Sequence, residues 1–365
     1  MTLLALAQRP GREPGTGGRR LLSLLGPILV LGAVVLLGGL TQYLKEGHLR
    51  YLSPTNQALI LTQTVMVAVA AVGMTIVIIS GGIDLSVGSV VALTAVAAAW
   101  VVRALAPEGA AALEGPGAAA IAVLALLAAV AVGAAVGATS GAIVTGLRIP
   151  PFIATLGMMA LARGAAKWLG GNMKIDAPAT WISGFTRATL KPLGWFPASS
   201  PAVRAYVTDA AVSPAVLAAL AVAVAAAVVL RHTRFGRHVF AIGSSEATAR
   251  LCGVAVERTK VLLYTAAGAL FGLAGAMAFG YNSVGDPTGA VGMELEVIAA
   301  VVIGGGSLSG GSGTIFGTIV GALLVANLRN LCRLLDLPDY YSDMVVGAVI
   351  VGAVALDRLR HRRAG

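Results

Sequence analysis

Ile78-Ile79-Ser80-Gly81-Gly82-Ile83-Asp84-Leu85-Ser86-Val87-Gly88-Ser89 is a polar interruption between two long apolar runs, 57–79 and 86–106. Paired glycines let a backbone leave helical geometry, and amides and carbonyls freed inside a bilayer must find partners in protein or in a wet cavity. A carboxylate facing lipid is expensive, so Asp84 is expected to face the bundle interior, a cavity or the cytoplasmic interface. Two readings stand side by side. One is a turn in which Asp84 or Ser86 caps the next helix; the other is a translocation or gating segment made by Gly81, Gly82, Asp84 and Ser86.

The surrounding chain is apolar throughout. Of its 365 residues, 57% are hydrophobic and only 12% charged, where a soluble domain carries roughly 25% charged residues. A surface so poor in charge must face lipid. Apolar runs at 21–43, 57–79, 86–106, 118–147, 151–170, 213–230, 260–281, 293–306, 313–335 and 341–357 predict an all-α, polytopic integral membrane protein of about ten transmembrane helices. The fourth run exceeds a perpendicular span and should tilt, bend or break. The eighth is short and runs into a glycine-rich stretch. The first run lacks a small-residue cleavage site and reads as a retained helix rather than a signal peptide.

The net charge of +10 could suggest nucleic acid, but its placement argues for a membrane. Arg9, Arg12, Arg19 and Arg20 precede the first run, and Arg358, Arg360, Arg362 and Arg363 follow the last. Arg231, Arg234, Arg237, Arg250, Arg258 and Lys260 share one internal loop. Basic residues concentrate in this way on the cytoplasmic side of membranes. The expected organisation is a basic cytoplasmic tail (1–20), a single transmembrane domain (21–357) with a cytoplasmic loop at 231–259, and a second basic tail (358–365). Loops 107–117 and 282–292 then lie outside and lack Lys and Arg. The 171–212 loop, also outside, carries Lys174, Arg187, Lys191 and Arg204 against the rule. Its Trp181, Phe185, Trp195 and Phe196 read as short interfacial segments.

A second glycine-rich stretch, Gly304-Gly305-Gly306-Ser307-Leu308-Ser309-Gly310-Gly311-Ser312, echoes the first when Gly81 is aligned with Gly304. Interrupted apolar segments in two halves of a transporter point to a binding or gating region near the midplane. Gly304, Gly305, Ser307 and Ser309 therefore join the pathway candidates. No lysine follows these glycines at P-loop spacing, so the chain itself is not expected to bind ATP.

In the basic loop, Ser244 or Ser245 suits an N-cap, Glu246 the first helical turn, Arg250 the last turn and Gly253 the C′ position. A short helix over about 245–252, parallel to the membrane, is predicted there. It has too little apolar surface to stand alone and calls for a partner.

These residues carry a resemblance. Gly81-Gly82-Ile83-Asp84-Leu85-Ser86-Val87-Gly88-Ser89 is similar to a motif of permease subunits of bacterial ABC importers for monosaccharides, the ribose, xylose, arabinose and galactose group. Ala241-Ile242-Gly243 through Glu246-Ala247, Arg250-Leu251 and Gly253-Val254 looks like that family's ATPase-docking segment. Glu294-Leu295 and Ile298-Ala299-Ala300, leading into Gly304-Gly305, fit as well, and the likeness covers about residues 55–357. Ser244-Ser245 and Thr248 depart from the family's preference for Asn, Glu and Ala. The resemblance implies an ABC importer permease fold in the bacterial cytoplasmic (inner) membrane, with both termini in the cytoplasm. It implies a second permease copy, identical or not, and a cytoplasmic ABC ATPase that binds ATP and magnesium. The ATPase would engage Gly243, Ser244, Glu246, Ala247, Arg250, Leu251 and Gly253. An extracytoplasmic sugar-binding protein would dock outside, where Asp286, Glu294 and Glu296 read either as a receptor-facing acidic rim or as caps and solvated charges. The permease would bind no cofactor and perform no covalent chemistry.

Arg163 and Lys167, four apart on one helix face, are expected to snorkel to the outer interface. His48, His232, His238 and His361 share no metal-ligand spacing, and Cys252 and Cys332 read as small packing residues. Nearby alternatives are permeases for nucleosides or branched-chain amino acids. A different class, an ion-coupled secondary transporter, would need Asp84 as its titrating carboxylate. No nucleophile–base pair within the spans supports an enzyme.

Overall fold

The computed structural model describes residues 16–47, 49–106, 115–187 and 213–362. Residues 107–114, Lys191, Trp195, Phe196 and Arg204, residues 1–15 of the first basic tail and 363–365 of the second lie outside the described residues. Every predicted apolar run is helical. The helices are α1 (Thr16–Glu46), α2 (Pro54–Ile79), α3 (Val87–Leu105), α4 (Pro116–Gly146), α5 (Pro151–Leu169), α6 (Trp181–Arg187) and α7 (Pro214–His232). They continue as α8 (Arg234–Ser244), α9 (Glu246–Leu251), α10 (Val256–Asn282), α11 (Met293–Ile303), α12 (Ile315–Leu334) and α13 (Asp339–Arg362).

Among the described residues, 7 helices are long and apolar enough to cross a membrane: α1, α2, α3, α4, α7, α10 and α12. Two of the ten expected spans, the fifth and the eighth, fall short of that test, each for its own reason. α5 carries Arg163 and Lys167 among its 19 residues. α11 has only 11 residues, about 16 Å of helix, roughly half a bilayer core. The long fourth run is an unbroken helix of 31 residues, about 46 Å, so tilt accommodates its length.

Turn chemistry sets the helix starts. Ser53, Ser213 and Thr314 accept N-cap hydrogen bonds from Asn56, Ala215 and Gly317, and Pro54 and Pro214 occupy first-turn positions where a missing N–H costs nothing. Lipid gives helices no hydrophobic reason to associate, so close approach through small residues must do it. The α4–α10 pair shows this. A Cβ at Gly133 would meet the Gly268 carbonyl oxygen, one at Gly268 would meet that of Gly133, and one at Gly272 that of Ala129. With α10 as the spine, α2 and α3 pack on its other faces, and α12 packs on α2, α11 and α1.

A two-residue ladder pairs Ile175 with Gly285 and Asp176 with Val284 in antiparallel register. It ties the segment after α5 to the end of α10. From there the chain returns along α3 to α11, placing the half-length helix inside the bundle.

Candidate functional site

The two glycine-rich stretches terminate α2 and α11 in the same way. Ser80, Gly81 and Gly82 donate to Ile76, Ile78 and Val77; Gly304, Gly305 and Gly306 donate to Ala300, Val302 and Val301. Gly81 (φ 82°) and Gly305 (φ 88°) hold the left-handed position that ends each helix, where any other residue is strained. The structural equivalence is therefore Gly81 with Gly305. Aligning Gly81 with Gly304 in sequence is one residue out of register, because repeated glycines match at either offset while only one takes positive φ.

Past Gly82 the chain runs non-helical to Val87. Asp84 is 1% exposed, and its Oδ1 accepts from the Ser86 amide at 2.8 Å and the Ser86 hydroxyl at 2.6 Å. Ser86 makes no side-chain cap of its own to α3. Asp84 thus closes a turn onto Ser86 ahead of α3, while, contrary to the capping reading, neither side chain caps a first-turn amide of that helix. Thr155 of α5 stitches the same segment, accepting from Leu85 N and donating to Ile83 O, each at 3.1 Å. Nothing in the sequence marks Thr155 for this role.

The segment between α11 and α12 is joined to this region directly. Gly311 N donates to Ile79 O at 2.8 Å, and Ser307 N donates to Ser312 O at 3.2 Å, folding the loop back on itself. Ser307 is buried, whereas Ser309 is exposed. The end of α8 reaches the same point. A Cβ at Gly243 would strike Ile79 O and Gly311 N, and one at Gly310 would meet Gly243 O and the Gly81 backbone. Gly81, Gly243, Gly310 and Gly311 therefore form one junction of three chain segments. The sequence reading had placed Gly81 and Gly243 in separate sites.

The loop 231–259 holds a helix pair. α9 begins at the extended Ser245, whose hydroxyl accepts from Thr248 N at 3.2 Å. It ends before Gly253, at φ 81°. This is the predicted short helix. α8, capped by Thr233 and buried at Gly236, Val239 and Ile242, is additional; the spacing of those three residues was its available signal. Ile242, Ala249 and Val256 form a small core beneath the pair.

The charged residues of α9 are engaged within the chain. Glu246 accepts from Lys260 at 2.6 Å and from Arg250 at 3.4 Å, and Arg250 reaches Glu257 at 2.6 Å. The hydrogen bond and charge of Glu257 foremost, with those of Glu246, push the Arg250 pKa further up from its ordinary value. What α9 offers outward is Leu251, 88% exposed, beside exposed Ala247 and Cys252.

The acidic residues at the other end do not share one surface. Asp286 pairs with Lys174 at 2.9 Å and accepts from Thr288 N and Oγ. Burial pushes its pKa up, but the hydrogen bonds from Thr288 and Lys174 outweigh burial and hold it below the usual value. Glu294 lies against Gly88, where a Cβ would meet its carboxylate. Glu296 is 8% exposed and paired with Arg329 at 2.7 Å. Its place on an outer rim is thereby corrected, since a helix only 11 residues long carries it inside the bundle. Arg163 does not snorkel either; it donates to Pro287 O at 2.9 Å and Gly289 O at 2.7 Å, pinning the turn before α11.

Interrupted helices joined to a basic helix pair at one end of an apolar helical bundle define a polytopic membrane permease. The chain belongs to the family described as the permease component of the branched-chain amino acid transport system, which it matches over residues 56–354. Its relatives include the ribose import permease protein RbsC of Escherichia coli (strain K12), 40% identical over 298 residues, covering 82% of this chain and 84% of the relative. The autoinducer 2 import system permease protein LsrC of Klebsiella pneumoniae is 38% identical over 315 residues, covering 84% and 81%. The fructose import permease protein FruG of Bifidobacterium longum is 33% identical over 290 residues, covering 80% and 78%. No solved structure matches the chain.

Proposed function

We propose that the chain forms the translocation pathway of an ATP-driven bacterial importer for a monosaccharide. The observation that carries this reading is the junction, where a helix pair outside the spans meets the ends of both interrupted helices. A passive or ion-coupled carrier has no need of such a lever; a permease driven by a separate motor does. Ribose and fructose, named for two relatives, support a monosaccharide as substrate.

In this reading the junction end faces the cytoplasm with the basic loop and both tails, as the charge distribution favours. An ABC ATPase, holding ATP and magnesium, docks on α9, and a second permease copy completes the pathway. A sugar-binding protein delivers its ligand at the opposite end. The permease contributes no catalytic residue. Gly81, Gly82, Asp84, Ser86, Gly304, Gly305, Ser307 and Ser309 shape the moving segments, and specificity rests mainly with the binding protein. The family's description favours branched-chain amino acids as the second reading.

The test is to purify the tagged chain from native membranes in mild detergent, identify its companions, and assay uptake in proteoliposomes. A P-loop ATPase at near-equal stoichiometry, with ATP-dependent uptake of ribose or fructose through a co-encoded binding protein, is expected. A binding protein that holds leucine and no sugar would move the substrate to the second reading. Uptake by the isolated chain on a proton or sodium gradient would overturn the importer reading.

A further inference from the structure

We propose that Gly243 is a positioning residue through which movement of the α8–α9 pair is delivered to both interrupted segments at once. This rests on the proposed function and adds how force is transmitted.

Three observations carry it. First, Gly311 N donates to Ile79 O at 2.8 Å, so the end of α2 and the α11–α12 connection already form one mechanical unit. Second, Gly243 backs directly onto that bond. Its missing side chain is what lets α8 touch Ile79 O and Gly311 N together, while Gly310 (φ 85°) covers Gly243 O and Gly81. Third, α8 is fixed in the bundle by Val239, 0% exposed, and to α9 and the start of α10 by Ile242, 3% exposed, and Ser245 connects it through a single extended residue to α9.

Contacts through long side chains absorb displacement by changing rotamer; contacts between main chains cannot. A shift of α9 is therefore passed through Gly243 with little slack. Ser244 adds to the grip, its Oγ 3.0 Å and its backbone 3.3 Å from where a Cβ on Gly311 would sit. The two helix ends at Gly81 and Gly305 then respond as a pair, because one bond links their segments.

The experiment reconstitutes the wild-type chain and the Gly243→Ala variant with the co-purifying ATPase and binding protein. For Gly243→Ala, the ATPase remains bound at wild-type stoichiometry, sugar uptake falls at least tenfold, and the ATP hydrolysed per sugar moved rises at least tenfold. A variant that transports with the wild-type ratio overturns the proposal. Should Gly243→Ala fail to accumulate, hydrogen exchange of the wild-type complex decides, comparing ADP with a non-hydrolysable ATP analogue. Peptides covering 78–82, 243–246 and 309–312 are expected to change exchange rate together, by fivefold or more. Change at 243–246 with none at Gly311 overturns it. A wild-type chain with no ATPase partner removes the proposed function itself, an outcome distinct from either of these.

Discussion

The carboxylate of Asp84 accepts two hydrogen bonds from Ser86, from its amide at 2.8 Å and its hydroxyl at 2.6 Å, inside the bundle where neither residue is more than 1% exposed. Holding this turn needs an acceptor, not a titrating group. Asp84→Asn keeps a carbonyl acceptor and should retain most transport. Asp84→Ala strands the Ser86 donors and should cost about 1–3 kcal/mol, read as a lower melting temperature in detergent and weaker uptake. An ion-coupled carrier would behave differently, because Asp84→Asn would then abolish transport in a well-folded protein.

The α4–α10 interface gives a packing prediction. Gly268→Leu must separate two backbones already in contact at Gly133 and Gly137, and should destabilise by about 3 kcal/mol, the upper end of what overpacking costs. Gly157 of α5 has nothing within 4 Å of its Cβ position, so Gly157→Ala should be neutral or stabilising by about 0.5–1 kcal/mol. Thermal unfolding in one detergent compares the two. Equal effects would mean that glycine content alone, not the contact, sets stability there.

Much of this architecture was legible in the sequence, because apolar length and capping chemistry are local. Ser245, Glu246 and Gly253 marked α9 through preferences that act within one turn. What the sequence withheld depends on contacts between distant segments. Thr155 is an ordinary threonine until the fold sets it between Ile83 O and Leu85 N. Arg163 had the spacing of a snorkelling pair with Lys167, but the carbonyls of Pro287 and Gly289 claim it. The echo between the glycine stretches was visible, while its register was not, since φ decides which glycine ends the helix.

Glu296 and Arg329 form an ion pair between α11 and α12, with Glu296 buried and Arg329 also reaching Asp343 at 3.1 Å. Removing one partner of a buried pair leaves an uncompensated charge, typically costing about 3–5 kcal/mol. The 30% exposure of the Arg329 side chain places Glu296→Ala near the low end, about 3 kcal/mol. The double variant Glu296→Leu with Arg329→Met should recover most of that loss in thermal unfolding. A double variant as unstable as the single one would mean that Arg329 acts chiefly through Asp343.

The docking face yields the last prediction. Glu246 already holds Lys260 and Arg250, so Glu246→Arg repels both and loosens α9 itself. Gly253→Trp forces a bulky residue to φ 81°, with a similar result. Both should uncouple transport by deforming the helix. Leu251, 88% exposed, separates docking from such deformation, because it supports nothing within the chain. Leu251→Asp should leave the melting temperature unchanged and reduce ATPase retention at least tenfold, about 1.4 kcal/mol of binding. Cys252 provides an independent readout, being exposed while Cys332 is buried. A maleimide should label Cys252 rapidly in the free chain and at least tenfold more slowly once the ATPase is bound. In the Leu251→Asp variant, labelling should stay fast with the ATPase present. Rapid labelling of wild-type Cys252 in a complex that demonstrably contains the ATPase would place docking elsewhere than on α9.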